Sequence, residues 1–281
     1  MNNNLIKIIV IFFLLAFLGF FFGIPYLNNL SVEENVAQIN SYKNNYDVAA
    51  AFESDDFSKL PSIIVRYLQK SIKDKTISPK VSLINFTGKL KASPNAEWIE
   101  INSTIVFSTS KPAFVQVSET YENNPIWEKT IDTYINSSAS TSTELLSSIT
   151  LNKFVGNKLN RSFLVLYLME SVFSPTSLLP NINTQWRNVG DNSAEATIWD
   201  KNVEGSAVFY FNENDEVIKI TSENRFMPGK NDYSKENFTM HLANYKTLYN
   251  YHIPTYFEFQ WNLASGNFTF GKFQITDISY K

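Results

Sequence analysis

Residues Leu159–Trp186 read LNRSFLVLYLMESVFSPTSLLPNINTQW. From Phe163 to Met169 the run is apolar apart from the Tyr167 hydroxyl, and a helix without a polar face is buried on most sides. The helix expected from about Lys158 to Val172 is too short to span a bilayer. Ser174-Pro175 ends it, because the residue ahead of a proline is pushed out of helical backbone. Short alternating segments flank this stretch on both sides. The expected fold class is therefore α+β. It is a strongly curved antiparallel β-sheet, a half-barrel or open barrel of about ten strands, enclosing a central apolar helix and preceded by an N-terminal transmembrane helix.

Working outward, the period is two on either side of the helix. Val81–Leu90, Trp98–Phe107, Pro112–Tyr121, Ile126–Ile135 and Thr141–Leu151 read as strands before it. Glu195–Trp199, Gly205–Phe211, Val217–Phe226, Asn237–Leu248, Thr255–Trp261 and Asn267–Tyr280 read as strands after it. Asn212–Asp215 and Ala264-Ser265-Gly266 read as turns, and Met227–Asp232 as a loop. Upstream, Phe57, Leu60, Ile64, Leu68 and Ile72 recur at helical spacing, so one helix is expected from Phe57 to about Asp74, with Asp55 and Asp56 at its start and Pro61 in its first turn.

Composition narrows the classes. The 281 residues carry 24 basic and 27 acidic side chains, a net charge of −3, so no basic field exists to attract nucleic acid. Aromatics make up 15% of the chain, which suits broad β surfaces around a large core or an apolar cavity. There is no cysteine, which excludes disulfides, thiolate metal sites and a lipid-modified cysteine anchor, and with only two histidines a multi-histidine metal site is not expected. No cofactor is expected.

At the N-terminus only Lys7 interrupts an apolar run from Leu5 to Leu27. Some 20 apolar residues cross a bilayer core as a helix. No small-residue cleavage pattern follows, so the run reads as an uncleaved single-pass anchor. Lys7 before it and Glu33 and Glu34 after it place the N-terminus in the cytoplasm and the C-terminal body outside the cell membrane. The expected organisation is a transmembrane anchor over 1–30, a linking or helical stretch over 31–56, and one extracytoplasmic domain over 57–281.

Five spaced elements carry a resemblance. They are LPSIIVRYL at Leu60–Leu68, YLMESVFSPTSLLP at Tyr167–Pro180, Trp186, NYKTLYNYHIPTYFEFQW at Asn244–Trp261, and ISY at Ile278–Tyr280. Together they resemble an uncharacterised bacterial membrane-anchored family, a domain of unknown function of the 6544/6920 type, over roughly Leu60–Tyr280. Two positions depart from that family's pattern: Leu166 stands where an arginine is usual, and Asn237-Phe238 where Pro-Trp is frequent. The order of strands, plug helix and strands is also similar to the periplasmic lipoprotein carriers of the LolA/LolB-like type. That likeness implies a curved half-barrel holding acyl chains.

Candidate site residues follow from burial and chemistry. Glu170 is the sole acid of the apolar helix. It is read either as a contact to a ligand head group or as a structural acid near the helix end, paired with Arg66 or Arg161. Arg66 and Tyr67 form either an anion grip or a fold-holding contact. Tyr167, Trp186, Tyr245 and Trp261 line an apolar cavity or are plain core. Glu258 and His252 lie six apart in one hairpin region, on one side of a strand. They lack a nucleophile with an orienting group, and no catalytic residue is assigned.

The preferred expectation is a membrane-anchored extracytoplasmic protein. It contacts the bilayer through Leu5–Leu27 and binds a lipid-like or other apolar ligand in a curved-sheet cavity through Arg66, Tyr67, Tyr167, Glu170, Trp186, Tyr245, Glu258 and Trp261. The alternatives are a non-catalytic envelope scaffold with a filled core, and a hydrolase with an unrecognised site.

Overall fold

Two-residue alternation dominates the computed structural model, which describes residues 3–42, 47–121, 127–229 and 232–281. Before the central helix come β1 (Val81–Leu90), β2 (Ile99–Ser108), β3 (Phe114–Tyr121), β4 (Trp127–Ile135), β5 (Ser138–Leu145) and β6 (Ile149–Val155). After it come β7 (Thr184–Gly190), β8 (Ser193–Asp200), β9 (Val203–Phe211), β10 (Val217–Pro228), β11 (Tyr233–Leu248), β12 (Tyr251–Leu263) and β13 (Gly266–Tyr280). All thirteen lie in one antiparallel sheet, in the order β6-β5-β4-β3-β2-β1-β13-β12-β11-β10-β9-β8-β7. Two meanders thus join where β1 pairs with β13, from Ser82 opposite Tyr280 to Leu90 opposite Gly271.

The central helix, α6 (Asn157–Glu170), leaves β6 at one edge of this sheet, and two short 3-10 turns lead from it into β7 at the opposite edge. A chain that passes from one edge to the other must cross the sheet. With nearly every side chain from Leu159 to Glu170 buried, the helix crosses on the concave face. The sheet curls until its two flanks meet α6. The Asn160 side chain accepts a hydrogen bond from the Ala139 N–H at 2.8 Å on one flank. On the other, Gly205 leaves room for Val165, which a Cβ there would strike. The flanks also touch directly, where Lys201 Nζ donates to the Asn136 carbonyl at 3.3 Å.

One end of the curl is stoppered by α5 (Ser62–Ser71). Its Ile63, Ile64, Tyr67 and Leu68 are buried in the main core. The Lys73 N–H donates to the Asn250 carbonyl at 2.9 Å in the β11–β12 turn. The helix expected from Phe57 to Asp74 is divided into α4 (Asp55–Ser58) and α5, because Pro61 is extended and disfavours helical backbone at Leu60.

The convex face carries its own helix, α2 (Ile24–Asn40), whose Val32, Val36 and Ile39 pack on Val81, Val106, Val115 and Val117. Those sheet side chains alternate with the inward ones: Val106 points out between Ile105 and Phe107, which point in. Asn28 donates to the Ser147 carbonyl at 3.1 Å, and Lys129 donates to the Asn29 side chain at 2.7 Å. A short α3 (Val48–Glu53) follows.

The apolar N-terminal run, expected as a single transmembrane helix, is divided into three helical pieces. It is α1 (Asn3–Leu18), then a five-residue π-helix (Gly19–Gly23), then α2. No helix among the described residues is long and apolar enough to cross a membrane. The Ile24 N–H reaches back five residues to the Gly19 carbonyl, and Pro25 has no N–H to continue the regular ladder.

The strand count also exceeds expectation. The segment expected as one strand, Thr141–Leu151, falls in two strands joined by a hairpin through Leu146 and Ser147, both with positive φ near 53°. Strand β7 is additional.

Candidate functional site

A cavity of about 560 Å³ opens at the end of the curl opposite α5. Its mouth is formed by the β1–β2 loop (Lys91–Pro94), by Met227 and Pro228 at the end of β10, and by Leu263 at the end of β12. Its inner wall is aromatic. Trp261 lies parallel to Phe270 at 5.8 Å between ring centroids, and meets Phe238 edge-on at 4.9 Å. Phe268 stands 6.2 Å from Phe270. A bulge in the β12–β13 pairing at Phe259/Gln260 puts two inward parities on one strand, so Phe268 and Phe270 precede the inward Phe273.

Three ionisable groups sit at the base of this wall. Arg225 on β10 is only 7% exposed, lines the cavity, and donates through a terminal nitrogen to the Ser162 carbonyl of α6 at 2.7 Å. Its guanidinium carbon lies 4.7 Å from the Phe238 ring centre and 5.9 Å from that of Trp261. Asp132 on β4 lines the same cavity beside Thr141, its opposite residue on β5. Glu170, 1% exposed, ends α6 and interacts electrostatically with both.

Burial dominates the titration of all three groups. It pushes Glu170 up to about 8, against the pull of Arg225 and with the help of Asp132. It pushes Asp132 up to about 6, against Thr141 and Arg225. It brings Arg225 down to about 10, where the guanidinium is still charged at neutral pH. Arg225 Nε, Asp132 Oδ1 and Glu170 Oε2 are each buried without a hydrogen-bond partner.

Arg225 faces inward through a second bulge. The β10–β11 register shifts between Ser222 and Arg225. Continued two-residue alternation from Ile220 and Ser222 would turn Asn224 inward and Arg225 outward. The bulge reverses this and frees the Phe226 N–H, which donates to the Ser162 hydroxyl at 3.2 Å.

The residues expected to form the site are spread over the molecule. Trp261 alone lines the cavity, with Glu170 coupled to Arg225. Glu170 is thus deeply buried, and its basic neighbour is Arg225 rather than Arg66 or Arg161. Tyr167 is core: its ring stacks on Phe107 at 4.4 Å and its hydroxyl donates to the Ser108 carbonyl at 2.9 Å. Trp186 packs edge-on against Phe209 at 5.0 Å on β7.

Arg66, Tyr67 and Tyr245 belong to the stoppered end. Arg66 donates to Asp215 at 2.9 Å at the surface, and Tyr67 meets Phe211 edge-on at 5.6 Å. Tyr245 donates to the Val217 carbonyl at 3.0 Å. Glu258 lies on the convex face, ion-paired with Lys272 at 3.2 Å. His252 instead bonds Glu216 at 2.9 Å. Burial acts to raise Glu216, but hydrogen bonds from His252, Asn212 and Lys70 outweigh it and hold the carboxyl low. Sequence reasoning missed Asp132, Arg225 and Phe270. No local signal marked them: Asp132 shares its strand with Glu128 and Lys129, Arg225 shares its strand with Lys219 and Glu223, and Phe270 is one of many aromatics.

No curated protein matches the chain. Among solved structures it is similar to a putative outer membrane lipoprotein-sorting protein domain from Vibrio parahaemolyticus, at 14% identity, covering 72% of this chain and 85% of that one with a TM-score of 0.42. It is also similar to the LolA superfamily protein NE2245 from Nitrosomonas europaea, at 10% identity, covering 78% and 92% with a TM-score of 0.39. A DUF1329 family protein from Desulfovibrio piger is similar at 10% identity, covering 84% and 93% with a TM-score of 0.41. The model of a family of unknown function, DUF6544, matches residues 50–273, which include the Tyr167–Pro180 motif, and the chain belongs to that family.

Proposed function

We propose that this protein is an extracytoplasmic binding protein, tethered to the cell membrane by its N-terminal helix, that holds a lipid-like or other apolar ligand in the cavity beside α6. The cavity carries the reading. Its volume of about 560 Å³ lies within the range of small-molecule sites, and its wall is mostly apolar with a few convergent polar groups. A scaffold with a filled core has no use for that space.

The tether rests on exposure. Ile8, Phe12, Phe13 and Leu15 of α1 are each more than half exposed, an apolar surface that a lipid environment would cover. Backbone angles at Leu18, Gly23 and Ile24 stay right-handed helical, so α1 and α2 run on through the π-helix. Ser148 donates to the Phe20 carbonyl at 2.9 Å, so the base of the tether is bonded to the β5–β6 turn.

Native mass spectrometry of the full chain, extracted from bacterial membranes in copolymer discs, tests the reading. A reproducible added mass is expected, and it should be lost when Ala92→Trp blocks the cavity mouth. A bare protein mass after incubation with envelope lipids would sink it. For the tether, deletion of 1–30 should move the chain from the membrane pellet to the soluble fraction.

A further inference from the structure

Arg225 is an unusual group to leave in an apolar wall. A buried guanidinium is costly unless a counter-charge lies close. Glu170 and Asp132 act on it electrostatically, but none of the contact ion pairs among the described residues includes it. Its one protein hydrogen bond goes to a neutral carbonyl, that of Ser162, and its Nε has no partner. Phe238 and Trp261 hold the guanidinium plane by their rings, which fixes its direction without neutralising it. Lys91, the other cation of the cavity wall, is engaged at the mouth, where it donates to the Pro94 carbonyl at 3.0 Å and lies over the Trp98 ring.

Building on the cavity's proposed role, we infer that its ligand is an amphiphile with a single anionic head, the head seated on the Arg225 guanidinium and the chain lying along Trp261, Phe268 and Phe270. The guanidinium fork fits a carboxylate or a sulfate or phosphate ester through two parallel N–H donors. The neighbouring acids do not bar an anion below about pH 6. Burial keeps Glu170 neutral up to about 8 and Asp132 up to about 6, while Arg225 keeps its charge throughout. A protonated Asp132 turns from acceptor to donor toward the same head group.

The test is a head-group series on the unaltered full chain in neutral-lipid discs, run just below pH 6, where Asp132 holds its proton. Its tryptophans carry a fluorine label, and the Trp261 resonance is assigned through Trp261→Phe. Decanoate, decyl sulfate, decanol and decyltrimethylammonium share one chain length and differ only at the head. Decanoate or decyl sulfate should shift the Trp261 resonance at free concentrations roughly tenfold lower than decanol, or lower still. The order of the two anions tells a carboxylate site from an ester site. Arg225→Met should remove the preference while decanol still binds, and Arg225→Lys should restore part of it.

Equal affinity for decanol and the anions would overturn the head-group assignment and leave the apolar cavity standing. Tightest binding of decyltrimethylammonium would overturn it in favour of Asp132. A resonance that no probe moves would refute the binding reading itself. The series on the unaltered chain decides the matter even where a variant fails to fold.

Discussion

The two ends of the curled sheet share strands and side-chain types and are finished in opposite ways. At the α5 end the aromatics fill the space. Tyr251 packs on Tyr280 at 4.3 Å, Phe173 on Phe257 at 5.0 Å, and the Tyr280 hydroxyl donates to the Phe173 carbonyl. The charges there lie near the surface and are paired: Arg66 with Asp215, and Lys70 with Glu216, which His252 also hydrogen-bonds. At the other end the aromatics form the wall of a cavity, and the ionisable groups of Arg225, Asp132 and Glu170 are buried without ion-pair contact. A filled, surface-paired end contributes stability. An open end with buried polar atoms that lack partners costs stability.

The sharpest way to break the comparison is to truncate one phenylalanine at each end. Phe257→Ala, in the filled core, is expected to cost about 3–5 kcal/mol of stability. Phe270→Ala, on the cavity wall, should cost about 1 kcal/mol while weakening uptake of apolar probes. Chemical denaturation of the two variants checks this, and equal losses would erase the distinction between the ends.

A second prediction concerns pH. Glu170 holds its proton up to about 8 in the folded chain, against 4.5 in the unfolded one. Stability is therefore full below the unfolded value and falls as pH rises through about 8, by up to roughly 1.4 kcal/mol per pH unit. Asp132 adds to the fall between 3.8 and about 6. Glu170→Gln should flatten the decline and raise stability at alkaline pH; a slope unchanged from wild type would show that the carboxyl is not held neutral.

A smaller effect is expected where α6 meets the sheet. Gly205→Ala drives a methyl into Val165 and should cost about 1–3 kcal/mol, with Val165→Ala in the same chain recovering part of it. Smallest of all is Arg66→Ala. It removes a half-exposed ion pair and should change the unfolding midpoint by no more than about 0.5 kcal/mol equivalent. A loss several times larger would make the stoppered end depend on that pair.

Much of the architecture was legible because it follows from period and length. The run from Phe163 to Met169 announced a helix with no solvent face, and the alternation on both sides announced antiparallel strands. Strand β7 escaped because TQWRNVG alternates weakly at an exposed edge. The Leu146-Ser147 turn escaped because neither residue is a usual carrier of positive φ. The site was less legible. Of the residues named for it, only Trp261 reaches the cavity, and Arg225, the buried cation of the cavity wall, sits past a bulge that reverses the parity of its strand.

By itself the sequence determined that a buried helix would be wrapped by antiparallel strands, that an apolar N-terminal run precedes them, and that neither thiol chemistry nor a basic field is available. These follow from local pattern and composition, which act within a few residues. Only the tertiary structure decided that the helix bridges opposite edges of a thirteen-stranded sheet, that one end closes and the other stays open, and that Arg225, Asp132 and Glu170 converge from β10, β4 and α6. Each of those outcomes depends on strand register and bulges, set by which distant side chains pack together. Residues 132, 170 and 225 have no relation along the chain that would bring them to one place.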